Sequence, residues 1–171
     1  MNEGERDPYK GMIEIGHFLS AFALLESASY LVFRLFPPDE LAKHGQGLRQ
    51  FQSRVRFAQA MLRGSDVIRP DRIEELFDDA LKLAKLRNQV AHNPQIVSIY
   101  KNPKTGELET VGPVWMDAKK YGADNGELEI SVKDVEEGAE QALKIWHDLM
   151  VLIHGSLDII KQSDGANNRG S

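Results

Sequence analysis

The stretch VEEGAEQALKIWHDLMVLIHGSLDII, residues 135–160, decides the fold class, because its apolar residues recur at steps of three and four. That spacing places them along one face of an α-helix. The line consists of Val135, Ala139, Ala142, Trp146, Leu149, Ile153, Leu157 and Ile160. Ser131 precedes the helix and Asp134 lies in its first turn, where the helix dipole stabilises a carboxylate. A long helix with one apolar stripe predicts packing against other helices.

Three further helical patterns come before this one in the chain. They cover about residues 11–35, 47–63 and 71–92. Prolines follow the first and the third pattern, as expected where helices end. Asp71 and Glu74 have the spacing of a capping box at the start of the third helix. Four long helical patterns predict an all-α, up-and-down four-helix bundle.

The hydrophobic period changes between the third and fourth long helices. IVSIY (96–100) is β-branched and aromatic, and a turn signal with proline and glycine separates it from LETV (108–111). LEISV (128–132) is a third short candidate. These segments predict a small β-hairpin, of two or three strands, inserted into the bundle.

The domain organisation follows from these elements. We expect a flexible N-terminus at residues 1–10 and a single helical domain at residues 11–162. The β-insertion occupies about residues 95–132 of that domain, and a flexible tail covers residues 163–171. A chain of 171 residues is long enough to bury a sizeable core.

Composition excludes several kinds of site and location. The chain has no cysteine, so disulfides and thiolate metal sites are excluded, which suits a cytoplasmic protein. The most hydrophobic stretch, residues 18–36, is about long enough to span a bilayer, but it contains Glu26 and Arg34, which are costly in hydrocarbon. We therefore predict a core helix and no membrane association, and a membrane-associated regulator is the remote alternative.

The charge distribution is uneven although the net charge is −5. Residues 41–65 and 80–106 contain basic side chains and no Asp or Glu, whereas acids gather at 66–79 and 134–140. Such segregation can create a local positive surface that attracts a phosphate backbone. Solvated helix faces are the alternative interpretation.

The third helical pattern ends in LRNQVAHNP, residues 86–94. Three polar residues there, Arg87, Asn88 and His92, continue a face of the helix that is apolar and core-directed earlier in the pattern. An arginine offers a charged fork of donors that matches two phosphate oxygens, and a histidine can move a proton near neutral pH. Asn88 and His92 are four apart and can touch. Arg87 and His92 are five apart, about 140° around the helix. They converge on one substrate only with bent side chains or across the matching helix of a second chain.

A structural interpretation of the same residues is also open. Arg87 would then pair with an acid such as Asp78 or Glu26, and His92 would only cap the end of the helix. Spacing alone does not exclude this.

The segment RNQVAH at the end of a bundle helix resembles the signature of the HEPN superfamily. That signature is an arginine, commonly followed by a polar residue, and a histidine four to six residues further on. The resemblance implies a metal-independent endoribonuclease without a cofactor, of the kind found in toxin–antitoxin and phage-defence systems. A homodimer would bring two copies of Arg87, Asn88 and His92 into one cleft, where a ribose 2′-hydroxyl attacks the adjacent phosphate. The partners implied are RNA as the substrate and an antitoxin protein.

Four other residues are candidates for binding. Glu26 lies inside the apolar first helix, and polar residues on that helix approach the site in similar proteins. Arg49 and Arg56 are seven apart, on one face of the predicted second helix, and Lys85 precedes the motif. The alternative function is a non-catalytic HEPN-like helical dimer or interaction module that binds a nucleotide or a protein partner.

Overall fold

The computed structural model describes residues 8–37, 39–63, 65, 67, 69–93, 95–116, 127–128 and 130–167. Within these ranges the protein is mostly helical, which confirms the all-α expectation in its coarse form. The α-helices are α1 (Pro8–Leu31), α2 (Glu40–Gly47), α3 (Phe51–Leu62), α4 (Pro70–His92) and α5 (Val132–Asn167). A 3-10 turn, Val32–Leu35, follows α1 directly.

Three strands lie between α4 and α5 in the chain. They are β1 (Gln95–Lys101), β2 (Leu108–Met116) and β3 (Glu127–Leu128), paired antiparallel in the order β1-β2-β3. Lys101 is opposite Leu108. Between them the Asn102 backbone N–H donates to the Glu107 carbonyl (2.8 Å), and Gly106 has a φ of 74°, which favours glycine.

The chain divides into two compact units. The first contains residues 1–21 and 85–141, and the second contains residues 22–84 and 142–171. In the first unit, Gly138 of α5 packs against α4, since a Cβ atom there would lie 2.9 Å from the Leu86 side chain and 3.1 Å from the Phe18 ring. A side chain at Gly138 would therefore hold these helices apart next to Arg87.

The core of the second unit is built from apolar side chains of all five helices and the 3-10 turn. Its fully buried members include Leu25, Phe33, Val55, Phe77 and Leu149. Phe22 and Phe51 meet edge-to-face at 5.2 Å between ring centroids, an arrangement that aromatic pairs favour.

Helix α2 was absent from the sequence-based expectation, which placed one helix at residues 47–63. In the structure, Asp39 caps α2 by accepting a hydrogen bond from the Ala42 backbone N–H (2.8 Å). Leu48, Arg49 and Gln50 then separate α2 from α3. The prediction that Arg49 and Arg56 share one helical face is therefore wrong, because Arg49 precedes the first turn of α3.

The two predicted helix starts have different outcomes. Glu74 does not close a capping box with Asp71: α4 begins at Pro70, and the Glu74 carboxylate instead lies 3.2 Å from the Arg63 guanidinium. At α5 the Asp134 carboxylate accepts hydrogen bonds from the Ser131 backbone N–H (2.6 Å) and hydroxyl (2.7 Å). These bonds stabilise the charged carboxylate and lower the pKa of Asp134.

The apolar stripe of α5 is buried over most of its predicted length. Val135, Ala139, Ala142, Leu149 and Ile153 are buried as expected. Ile145 takes the buried place predicted for Trp146, which is half-buried, and Ile160 at the far end is exposed. The helix itself continues to Asn167, into the segment predicted as a flexible tail.

Within the described ranges, one segment is apolar and long enough to cross a membrane by length and composition. It is Gly11–Leu35, with a mean hydropathy of 1.4 over an 18-residue window, and half of that window is buried inside the structure. A mostly buried core helix has the same length and composition.

Candidate functional site

Arg87, Asn88 and His92 lie in the last two turns of α4. Leu83 and Val90 are buried, and Arg87 lies on the helical line between them, where it is half-buried. Asn88 and His92 are exposed. The expectation that all three continue a core-directed face is thus right for Arg87 alone, and the other two lie at the solvent edge of the helix.

Arg87 and Asn88 contact each other directly. The Nη1 group of Arg87 donates a hydrogen bond to the Oδ1 atom of Asn88 (3.0 Å). Because Asn88 is exposed, this bond draws one edge of the guanidinium toward the solvent side of α4. An arginine presented in this way offers its planar fork of donors to an anion.

His92 is not used to cap α4, because Asn93 performs that role. The Asn93 backbone N–H donates to the Gln89 carbonyl (3.1 Å), and the Asn93 side-chain Nδ2 group donates to the same oxygen (2.8 Å). Among the residues that the structure describes, His92 takes part in no hydrogen bond or ion pair. The imidazole at the end of the helix is therefore accessible for chemistry.

The spacing on one helix separates Arg87 from His92. Five residues correspond to about 7.5 Å along the helix axis and about 140° around it. One chain therefore presents the guanidinium and the imidazole on different sides of α4. A phosphodiester gripped by both groups needs either bent side chains or a second copy of the helix.

The acids proposed as structural partners for Arg87 have other neighbours. The Asp78 carboxylate accepts a hydrogen bond from the Gln59 side chain (2.9 Å) and lies 3.9 Å from the Arg56 guanidinium. Glu26 is half-buried in α1; burial lowers the pKa of Arg54, and the negative charge of Glu26 partly opposes that shift.

The predicted binding residues do not all fall in the same unit as the motif. Lys85 belongs to that unit and is exposed one turn before Asn88. Glu26, Arg49 and Arg56 belong to the other unit, where Arg49 and Arg56 are both exposed.

Arg54, one of the basic residues of the acid-free segment 41–65, is buried and only 1% exposed. Its Nε group donates to the Ser29 hydroxyl (2.7 Å), and its Nη1 group donates to the Leu48 carbonyl (2.6 Å). The guanidinium carbon lies 3.6 Å from the centre of the Tyr30 ring, a cation–π contact. Burial lowers the pKa of Arg54, and the neighbouring Tyr30 and Glu26 act in the opposite direction.

The sequence did contain a signal for this buried arginine. Arg54 lies three residues after Phe51 and four before Ala58, both of which are buried on the apolar stripe of α3. An arginine at a stripe position is expected to be buried and hydrogen-bonded. Arg54 therefore belongs to the structural framework of the second unit.

Metal ligands were not expected at the site. Within the described ranges, no group of three His, Cys, Asp or Glu side chains could hold a metal ion. His147 and His154 are both exposed on α5.

Comparison with known proteins gives no match. No family model, no curated protein and no solved structure is similar enough to this chain to count as a relative. The HEPN resemblance therefore depends on the six residues Arg87 to His92 and on the helical character of the chain.

Proposed function

We propose that this protein is a metal-independent endoribonuclease of the HEPN type. The observation that supports it best is the exposed imidazole of His92, which Asn93 leaves unused for capping, on the helix that also holds the Arg87–Asn88 pair. We further propose that α1, α3, α4 and α5 form the up-and-down bundle and that the strands between α4 and α5 form its inserted hairpin. The protein would act in the cytoplasm as a toxin or defence component, with an antitoxin protein as its partner.

The proposed reaction is an internal transesterification of RNA. The 2′-oxygen of a ribose loses its proton, attacks the adjacent phosphorus and forms a new P–O bond. The bond from phosphorus to the 5′-oxygen of the next nucleotide breaks, and that oxygen takes up a proton. The products are a 2′,3′-cyclic phosphate end and a 5′-hydroxyl end, and no co-reactant is needed.

Each motif residue has a role that suits its side chain. His92 moves the proton, and the two copies in a dimer can serve as base and acid. Arg87 stabilises the charge of the phosphorane through its fork of donors. Asn88 holds the guanidinium in position through the 3.0 Å hydrogen bond.

A homodimer resolves the separation between Arg87 and His92 on one helix. When α4 meets its copy around a twofold axis, Arg87 of one chain can approach His92 of the other. The exposed Lys85 and the acid-free segment 80–106 add positive charge on the same stretch of chain, which favours a polyanion.

The experiment is a cleavage assay on single-stranded RNA in the presence of a chelator. We expect cleavage that leaves a cyclic phosphate end, lowered at least about 100-fold by His92→Ala, since general acid–base catalysis contributes about 10²–10⁴-fold. Arg87→Lys keeps the charge but loses the fork and should also lower the rate. His44→Ala, which removes an exposed histidine from α2, is the matched control and should leave the rate unchanged.

The second candidate function is a non-catalytic HEPN-like module that binds a nucleotide or a protein partner. The observation that favours it is the half-burial of Arg87 and its bond to a residue of its own helix. This candidate predicts no cyclic-phosphate product, with RNA or nucleotide binding that Arg87→Ala weakens. Equal cleavage by the wild type and His92→Ala would remove the nuclease assignment.

A further inference from the structure

Four exposed polar residues share one side of the last turns of α4: Lys85, Asn88, Gln89 and His92. Counted from the first, they are three, four and seven residues apart, the spacing of neighbours on successive helical turns. His92 and Lys85 lie about 40° and 60° around the axis from Asn88. Gln89 lies about 100° from Asn88 in the same direction. The four side chains therefore share one arc of the helix, and we call them the α4 diamond.

Arg87 lies outside the α4 diamond. It is half-buried and about 160° around the helix from Lys85. Its Nη1 group donates a hydrogen bond to the Oδ1 atom of Asn88 (3.0 Å), which fixes the orientation of that amide. The Nδ2 group of Asn88 then remains as a donor for a ligand. Within one chain, the cation that shares a face with His92 is therefore Lys85.

The charge of Lys85 is available to a ligand. Within the described ranges Lys85 forms no ion pair, and residues 80–106 contain no Asp or Glu. Lys82, one turn earlier on α4, is by contrast 2.7 Å from the Asp79 carboxylate. Two exposed lysines of one helix thus differ in whether an acid already occupies them.

The acid-rich segment of α5, residues 134–140, is on the other side of α4 from the α4 diamond. Gly138 packs there on Leu86, because a Cβ atom at Gly138 would lie 2.9 Å from the Leu86 side chain. Leu86 is about 160° around α4 from Asn88. The partial negative charge at the end of α4 disfavours an anion, but it acts within the last turn, and Lys85 and Asn88 lie before that turn.

The α4 diamond is rich in donors and longer than one phosphate. An ammonium has three N–H donors and a full charge, and each side-chain amide has two N–H donors. The distance along the axis from Lys85 to His92 is about 10.5 Å. A stacked nucleic-acid strand carries one charge per about 3.4 Å of its axis, so the α4 diamond can contact more than one phosphate of a strand.

We propose that Lys85 and Gln89, with the Nδ2 group of Asn88, bind a phosphate beside the one that is cleaved. This inference rests on the proposed function and adds the kind of substrate, an RNA that carries at least one phosphate besides the scissile one. Lys85 and Gln89 would contact the strand away from the reacting atoms. They should therefore affect KM and leave kcat unchanged.

The first experiment measures binding without cleavage. The probe is a fluorescently labelled oligodeoxyuridine, which cannot react because it has no 2′-hydroxyl. Its dissociation constant is measured by anisotropy over a range of salt concentrations. Lys85→Gln should lower the slope of log affinity against log salt by about 0.7, the contribution of one phosphate contact on a single strand. Lys82→Gln removes the same charge from the lysine that Asp79 pairs with, and should leave the slope unchanged.

The second experiment places a negative charge in the α4 diamond. Gln89→Glu keeps the size of the side chain, and like charges repel, so binding of the same probe should weaken about tenfold. Gln46→Glu makes the same change of charge at an exposed position of α2. This matched control should bind the probe like the wild type.

The third experiment separates the scissile phosphate from its neighbour through two substrates. A dinucleoside monophosphate has the scissile phosphate alone, whereas an oligoribonucleotide has others beside it. For the oligoribonucleotide, Lys85→Gln should raise KM about tenfold with kcat unchanged, because it loses a charged contact made equally in the ground and transition states. For the dinucleoside monophosphate, the wild type and Lys85→Gln should have equal kcat/KM.

Two results would overturn the proposal. One is a salt slope that Lys85→Gln leaves unchanged or that Lys82→Gln lowers equally. The other is a KM effect of Lys85→Gln that is the same on both substrates. Failure of the proposed function has a different signature: the wild type cleaves no RNA, while the difference in slope between the two lysine variants supports the phosphate site by itself. Circular dichroism checks that each variant keeps the helical fold, as expected at exposed positions.

Discussion

Replacing Arg54 by methionine tests whether a buried guanidinium holds the second unit together. The side chain is 1% exposed and donates to the Ser29 hydroxyl at 2.7 Å and to the Leu48 carbonyl at 2.6 Å. It also stacks on the Tyr30 ring at 3.6 Å. Arg54→Met removes these contacts together while it keeps a long apolar side chain in the core.

The magnitude follows from the contacts that are lost. Two hydrogen bonds from a charged group contribute about 1.5–3 kcal/mol each, and the cation–π contact adds about 1 kcal/mol. The variant no longer has to bury a charge, which offsets part of this loss. We expect the free energy of unfolding to fall by about 2–4 kcal/mol. Arg54→Lys should be no milder, because a single ammonium remains buried without the fork geometry.

Urea unfolding measures this difference. With a slope of about 2 kcal/mol per molar urea, the midpoint should fall by about 1–2 M. The matched control is Arg56→Met, two residues along α3, where the side chain is exposed and lies 3.9 Å from Asp78. An exposed ion pair contributes about 0–1 kcal/mol, so the control should unfold almost like the wild type. Equal losses in the two variants would refute the reasoning.

Two other positions give predictions from single contacts. A Cβ atom at Gly45 would collide with the rings of Phe33 and Phe57, so Gly45→Ala should lower the free energy of unfolding by about 1–3 kcal/mol. Gly47→Ala is the control and should have no such effect, because a Cβ atom there meets nothing within 4 Å. Thermal unfolding compares the two variants, and equal melting temperatures would contradict the packing argument. Asp134 has a lowered pKa in the folded state, so its contribution to stability is present above the unfolded carboxyl pKa and is lost as the pH falls through the folded pKa. Urea unfolding from neutral pH to about pH 3 should therefore show a smaller loss of stability in Asp134→Asn than in the wild type, and parallel pH profiles would argue against the cap.

The candidate site could be predicted from sequence only in part. The spacing of Arg87, Asn88 and His92 on one helix, and the proline that follows, were enough to place all three near the end of α4. Their degrees of burial were not predictable, because they depend on which side of α4 faces other elements. Only the structure separates the half-buried Arg87 from the exposed His92 and assigns the cap to Asn93.

In α2 and α3 too, part of the fold could be predicted from sequence and part could not. A continuous helix at residues 47–63 fitted the local pattern, but Asp39 caps a separate short helix that ends at Gly47. That helix packs through Gly45 onto the rings of Phe33 and Phe57, which belong to the elements before and after it in the chain. Contacts of this kind decide whether a short amphipathic segment is helical, since its own propensity is weak.

The sequence by itself determined the long helices, because periodicity and breakers such as proline act through near neighbours in the chain. It also determined that a guanidinium, an amide and an imidazole share the last turns of α4. The apolar stripe of α3 marks Arg54 for burial, and not Arg56, but the tertiary structure alone decided which acceptors receive the hydrogen bonds of the buried guanidinium. The physical reason is that burial of a charge depends on acceptors such as Ser29 and the Leu48 carbonyl, which reach the guanidinium only once the helices have packed.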